Sequence, residues 1–227
     1  MELRALLVRK AFHIAGAVLL AVPLFVKVPV PLYYSALALV AGVFYSIQVK
    51  RPRLLIELRR NIFDSLEDMF ESLDRLVPVG RADLKTQYDA ALLAIEKAIE
   101  AAERDYEKRG GYLGLLMGAV GILIAYDLFG IAHLFPAIVG LAVYDVFSAL
   151  VGSAIGRHKL PGADATWEGV AGGAAPTFLA LALAGYGPGQ ALLILAAIAL
   201  AEAYGVEDNL AIPIAASAAA YLASLIL

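Results

Sequence analysis

Residues 133–155 read HLFPAIVGLAVYDVFSALVGSAI, an apolar run long enough to cross a bilayer, with one carboxylate, Asp145, near its middle. A charge at a bilayer centre costs at least about 2.5–3.5 kcal/mol on insertion scales, so such a group faces a partner or a cavity rather than lipid. Composition decides that lipid is the relevant solvent. Hydrophobic residues make up 61% of the 227 residues and charged residues 17%, and the mean hydropathy is +0.77. These values mark a membrane protein. The absence of cysteine excludes a disulfide framework and a thiolate metal site. The formal net charge of −3 gives no reason to expect a nucleic-acid partner.

Working outward from Asp145, further apolar runs fall at about 5–26, 31–49, 111–130, 169–185, 189–204 and 209–227. Pro29 and Pro31, Gly130, and the cluster Gly185, Gly187, Pro188 and Gly189 mark turns between them. Arg4, Arg9 and Lys10 are spread into the first run, which reads as a span rather than a cleaved leader. The expected fold is therefore all-α and polytopic: one membrane-embedded domain over residues 1–227 with about seven transmembrane helices. Residues 50–109 are the only long polar stretch. Their helical spacing of Leu55, Leu58, Ile62, Leu66, Met69, Phe70 and Leu73, and the break at Pro78 and Gly80, predict a cytoplasmic helical hairpin. Its basic start, Lys50 to Arg60, suits anionic headgroups, and a homodimer contact is another use for it. With the N-terminus inside, all but Lys27 of the 18 Lys and Arg residues fall on the cytoplasmic side, so the expected location is a multi-pass membrane protein whose site faces the cytoplasm.

Beyond Asp145, the chain continues GSAIGRHKLPGADATWEG over residues 152–169. Gly140, Gly152 and Gly156 permit close approach of a backbone or a ligand, and the G-x-x-x-G spacing of Gly152 and Gly156 is also a helix-packing pattern. Arg157, His158 and Lys159 form a compact positive cluster suited to phosphate, and equally the positive-inside signal of a helix end. An Asp without Cys or His clusters suggests a hard cation such as Mg²⁺, bound through oxygen and shared with a polyphosphate. Lys10, His13, Glu202, Glu207, Asp208 and Asn209 are the other polar groups in or beside the spans. His13 also reads as a hydrogen-bonded packing residue.

The order D-x-x-S-x-x-x-G-x-x-x-G-R-H-K followed by T-W-E-G, with RKAFHIAG before it and EAYGVEDNLAIPI after it, resembles the CTP-dependent polyprenol kinase family. That family includes dolichol kinase, phytol kinase and the CTP-dependent diacylglycerol kinase. T-W-E-G is also similar to the signature of the related phosphatidate cytidylyltransferases. The resemblance covers most of the apolar part of the chain and leaves out residues 50–109. It implies transfer of the γ-phosphate of CTP to the hydroxyl of a lipid alcohol of the dolichol, polyprenol, phytol or geranylgeraniol type, with Mg²⁺ as cofactor and the bilayer as partner. It further implies Asp145 as metal ligand; Gly152, Gly156, Arg157, Lys159, Thr166, Gly169 and Asn209 at the nucleotide; Glu168 and Asp208 orienting or deprotonating the hydroxyl; and Arg9, Lys10, His13 and Glu202 at the lipid headgroup. The chain departs from the pattern in two places, at Tyr144 and over Asp164 and Ala165. Tyr144 stands where the family usually has Gly, and Asp164 and Ala165 stand where it usually has a Lys before the Thr. The alternatives are a cytidylyltransferase acting on a lipid phosphate, and a transporter or scaffold without catalysis.

Overall fold

The computed structural model describes residues 3–50 and 113–226 together with positions 61, 65 and 90; the side chains at 3–5, 8, 9 and 12 are outside the described set. The expected hairpin at 50–109 therefore lies almost wholly outside the described residues. Among those described the chain is all-helical, apart from an isolated bridge between Lys159 and Thr166.

Each apolar run expected from the sequence is helical. The elements are α1 (Leu3–Phe25), α2 (Val30–Lys50), α3 (Leu113–Phe129), a 3-10 turn (Ile131–His133), α4 (Phe135–Val139), a π-turn (Gly140–Tyr144), α5 (Asp145–Ile155), α6 (Trp167–Leu183), α7 (Pro188–Tyr204) and α8 (Asp208–Ile226). Three stretches, Val30–Lys50, Ile131–Ile155 and Asp208–Ile226, are long and apolar enough to cross a membrane, and shorter apolar helices accompany them. Large apolar side chains such as Val18, Leu39, Leu183 and Leu200 point outward. Helices that are apolar all round suit lipid, where no polar outer face is needed.

The chain forms two compact units. One holds Lys10–Ala41 and Leu113–Leu227; the other holds Met1–Arg9 and Gly42–Tyr112. In the second, described structure is confined to the outer ends of α1 and α2 and to the three isolated helical positions, where Ser65 Oγ donates to the Asn61 carbonyl at 2.7 Å. The first unit is built on one core in which Tyr34, Ile122, Leu141, Tyr144, Leu181, Ile194, Ile198 and Ile212 are fully or almost fully buried. In it α8 packs along α3 and α7, and α5 packs along α6.

Local sequence accounts for the joints. Pro23 lies inside α1 and has no N–H to give the Leu19 carbonyl, and Tyr33 Oη supplies the missing bond at 2.8 Å while Tyr34 Oη donates to Leu20 O at 2.7 Å. The two tyrosines thereby tie α2 to α1. At the end of α6, Gly185 adopts φ +93°, Tyr186 N–H bonds Leu181 O and Gly185 N–H bonds Ala182 O, a Schellman stop that only a residue tolerant of left-handed backbone completes without strain.

Candidate functional site

Asp145 is buried, 5% exposed at its side chain, and it does not face lipid unpaired. Lys10 Nζ donates to Asp145 Oδ2 at 2.7 Å from α1, with its own side chain only 4% exposed. His13, three residues further along the same helix face, brings Nε2 to 3.0 Å from the same oxygen. Nε2 also lies 3.0 Å from the Leu141 carbonyl. Both neighbours are acceptors, so the hydrogen-bond network assigns the proton to Nε2.

The π-turn explains why that carbonyl is available. In α-helical register the Asp145 N–H would bond Leu141 O, but here it bonds Gly140 O, one residue further back. Leu141 O is then free to take the His13 bond. Gly140 at the start of this turn lets α8 approach closely, since a Cβ there would come within 2.6 Å of Ile212 Cγ2.

One turn beyond Asp145, Ser148 extends the polar group to α7. Its Oγ lies 3.3 Å from the Asp145 carbonyl and 3.0 Å from Glu202 Oε1. The other oxygen of that carboxylate, Oε2, is buried and takes no hydrogen bond among the described residues, and the same holds for Tyr144 Oη. Glu202 lies within electrostatic reach of Asp145, Lys10, Asp208 and Tyr144. Asp208 opens α8, where its Oδ1 accepts the Asn209 N–H at 2.8 Å. Lys10 and Asp145, both buried, and His13 and Glu202, both half-buried, are thus brought into one cluster with Asp208 nearby. The Arg9 side chain lies outside the described residues.

The remaining site residues gather elsewhere. From Asp145 to Ile155, α5 rises about 15 Å at 1.5 Å per residue. Beyond it, residues 156–166 fold back as a short hairpin loop closed by Trp167 N–H to His158 O and Leu160 N–H to Ala165 O, both at 2.9 Å. Glu168, in the first turn of α6, fastens this loop: Oε2 accepts the Arg157 and His158 backbone N–H groups at 3.2 Å, and Oε1 lies 2.6 Å from His158 Nδ1. The His158 side-chain bond, with the backbone donors, holds the Glu168 carboxyl down to about 2. Lys159 pairs with Asp164 at 3.0 Å in full exposure.

Glycines let α5 and α6 meet almost backbone to backbone. A Cβ at Gly169 would lie 2.9 Å from Ser148 O, and one at Gly173 2.9 Å from Tyr144 O, so two glycines one turn apart on α6 rest on two carbonyls one turn apart on α5. Gly152 and Gly156 line the same crossing against Thr166, whose Oγ1 caps α6 by accepting the Gly169 N–H at 3.1 Å. Gly152, Gly156, Thr166 and Gly169 are therefore brought together, in contact with one another, at the loop end of α5. Ser148, Tyr144 and Gly173 were not expected from the sequence; the G-x-x-x-G spacing of Gly169 and Gly173 was a signal for the last.

The fold and this cluster define a helical membrane protein with a buried carboxylate paired through one oxygen, Asp145 Oδ2, and a second, Glu202, held through Oε1. Compared with protein-family models, with curated proteins and with solved structures, the chain matches none.

Proposed function

We propose that the protein is a CTP-dependent kinase that transfers the γ-phosphate to the hydroxyl of a membrane lipid alcohol of the isoprenoid type. The observation that carries this reading is the convergence of Lys10, His13, Asp145 and Glu202, residues from three separate sequence motifs, in one cluster whose central ion pair, Lys10 and Asp145, is buried. Structural ion pairs rarely need that many ionisable groups inside an apolar bundle, whereas a reaction between a polyanion and a lipid hydroxyl needs both signs of charge there. On this reading the chain is polytopic with about seven spans and the site opens to the cytoplasm, an orientation supported by the basic residues.

Arg157 and Lys159 follow the end of α5 that lies about 15 Å of helix from Asp145, at 1.5 Å per residue. They attract the nucleotide and hold its remote part, while Lys10 and Asp145 attend the reacting end. The residues suit a magnesium ion that arrives on the nucleotide. Such an ion requires only one or two protein carboxylates, and Lys10 and His13 both approach Oδ2 of Asp145, leaving Oδ1 as its ligand. Among the described residues no group of three or more His, Asp or Glu side chains forms a ready-made cage. When bound, the ion offsets phosphate charge; the protein's part is to position the reactants and stabilise charge.

The test is turnover in inverted membrane vesicles with added CTP, Mg²⁺ and either isoprenoid alcohols or lipid phosphates. Expected are CDP, a phosphorylated alcohol, and activity lost by at least about 100-fold in Asp145→Asn, which keeps the shape and removes the charge. Pyrophosphate released with a lipid phosphate would replace this reading by cytidylyl transfer. Turnover of CTP only in right-side-out vesicles would reverse the orientation.

A further inference from the structure

Four side-chain oxygens in the first unit are buried without a hydrogen bond among the described residues, Thr177 Oγ1, Ser217 Oγ, Glu202 Oε2 and Tyr144 Oη, and the last two belong to the neighbourhood of Asp145. Glu202 Oε2 is a buried carboxylate oxygen without a hydrogen bond among the described residues, although its sister Oε1 is held by Ser148 at 3.0 Å. Tyr144 is fully buried, its hydroxyl likewise unpartnered, and it stands one helical turn before Ser148, the residue that holds Glu202. Leaving a buried acceptor and a buried donor unpaired is costly, and the two residues are linked through Ser148, which holds Glu202 and stands one helical turn after Tyr144, so a ligand that both donates and accepts there would meet both needs.

We infer that Glu202 Oε2 and Tyr144 Oη form the subsite for the hydroxyl of the lipid alcohol, with Glu202 receiving its proton. This deepens the kinase reading and rests on it. An alcohol satisfies both atoms with one group: its O–H donates to Glu202 Oε2 and its oxygen accepts from the tyrosine O–H. A lipid phosphate does not, because it is anionic and would enter beside Glu202 with Asp208 also in reach. The other acidic candidates are already committed. Glu168 has both oxygens engaged by the 157–158 segment, and Asp208 Oδ1 accepts the Asn209 N–H. In the step itself the alcohol O–H bond breaks with its proton passing to Glu202 Oε2, and the alcohol oxygen bonds to the γ-phosphorus. The bond from that phosphorus to the β,γ-bridging oxygen breaks, and its electron pair leaves on CDP.

Geranylgeraniol and geranylgeranyl phosphate serve as probes on purified wild-type, Glu202→Gln and Tyr144→Phe proteins in detergent. Without nucleotide, geranylgeraniol should raise the unfolding temperature of the wild type. It should bind Tyr144→Phe about tenfold more weakly, the loss of roughly one hydrogen bond. Geranylgeranyl phosphate should bind at least about tenfold more weakly than the alcohol. With CTP and Mg²⁺, Glu202→Gln should lose about 100-fold or more in kcat while its KM for CTP changes less than about twofold. Thermal stabilisation of Glu202→Gln by Mg-CTP checks that it is folded, and Tyr144→Phe, which keeps the ring, tests the same subsite if it is not. Alcohol turnover by Glu202→Gln at the wild-type rate, or phosphate bound as tightly as alcohol, overturns the subsite and leaves the kinase reading standing. Alcohol binding that depends on Tyr144 and Glu202 without any CDP formed does the reverse.

Discussion

Two places in this molecule hold the same pair of interactions in opposite surroundings. In the cluster centred on the buried Asp145 an ammonium, Lys10, and an imidazole, His13, meet the carboxylate at 2.7 and 3.0 Å. In the loop after α5 an ammonium, Lys159, meets Asp164 at 3.0 Å and an imidazole, His158, meets Glu168 at 2.6 Å. Distance does not distinguish them. Solvent does: the Lys10 and Asp145 side chains are 4% and 5% exposed, those of Lys159 and Asp164 67% and 104%. Two unit charges about 4 Å apart attract by about 1 kcal/mol in water and about 4 kcal/mol at an effective dielectric of 20. Burial also removes hydration from both groups, so the inner pair is held less by what it gains than by what either member would lose alone.

That asymmetry predicts the largest effect. Lys10→Met should destabilise the protein by about 3–5 kcal/mol, because it strands a buried carboxylate, whereas Lys10→Met combined with Asp145→Leu should recover most of the loss. Thermal unfolding in detergent reads both. A single variant as stable as wild type would mean that His13 alone suffices for Asp145, and the contrast between the two regions would collapse.

How much of this could be read beforehand divides along the same line. The seven apolar runs, the turns at Gly130 and Gly185 and the burial of Asp145 follow from local patterns, and the helices match them to within a few residues. Lys10 and His13 were recognisable as polar residues of one helix face. Their meeting with Asp145 was not, because 135 residues separate Lys10 from Asp145 and no periodicity reports such a distance. A signal existed in principle: a lysine inside an apolar helix needs a counter-charge, and few carboxylates inside the spans could supply it. The π-turn that frees Leu141 O has no comparable local signature. The role of Glu168 also depended on long-range geometry, since only the folding back of residues 156–166 brings two N–H groups and the His158 ring to its carboxylate. Thr166 as the cap of α6 was legible from its place before an apolar run.

The loop supplies an effect of intermediate size, visible as a pH dependence. The Glu168 carboxyl is held down to about 2 from an ordinary value of 4.5, first by His158 and then by backbone donors. A lowered carboxylate pKa means that its stabilising contribution is fully present above about 4.5 and is lost as pH falls through about 2. Trp167, the single tryptophan, donates its backbone N–H to His158 O within this loop and reports it by fluorescence. The emission change that belongs to the Glu168 carboxyl should be absent near pH 4.5 and appear as pH approaches about 2. In Glu168→Gln that acid step should vanish. A wild-type step centred near 4.5 would show that the loop bonds do not favour the ionised carboxylate.

The smallest effect on stability belongs to the Lys159 and Asp164 pair, and it separates holding the fold from handling a ligand. Both side chains are solvated, so neither Lys159→Ala nor Asp164→Asn should move the unfolding temperature measurably. If Lys159 meets CTP, however, Lys159→Ala should raise the KM for CTP several-fold, roughly up to tenfold, at unchanged kcat, because a phosphate contact made equally in ground and transition states is uniform binding. Asp164→Asn should shift KM the other way, since it releases the ammonium from a competing carboxylate. The difference between the two variants should shrink as salt rises, with a Debye length of about 8 Å at physiological ionic strength and about 3 Å at 1 M. Initial rates against CTP concentration at two salt levels measure all of this. An unchanged KM in both variants would restrict Lys159 to orienting the helix end in the membrane, and would leave Arg157 as the loop's remaining cation for a nucleotide.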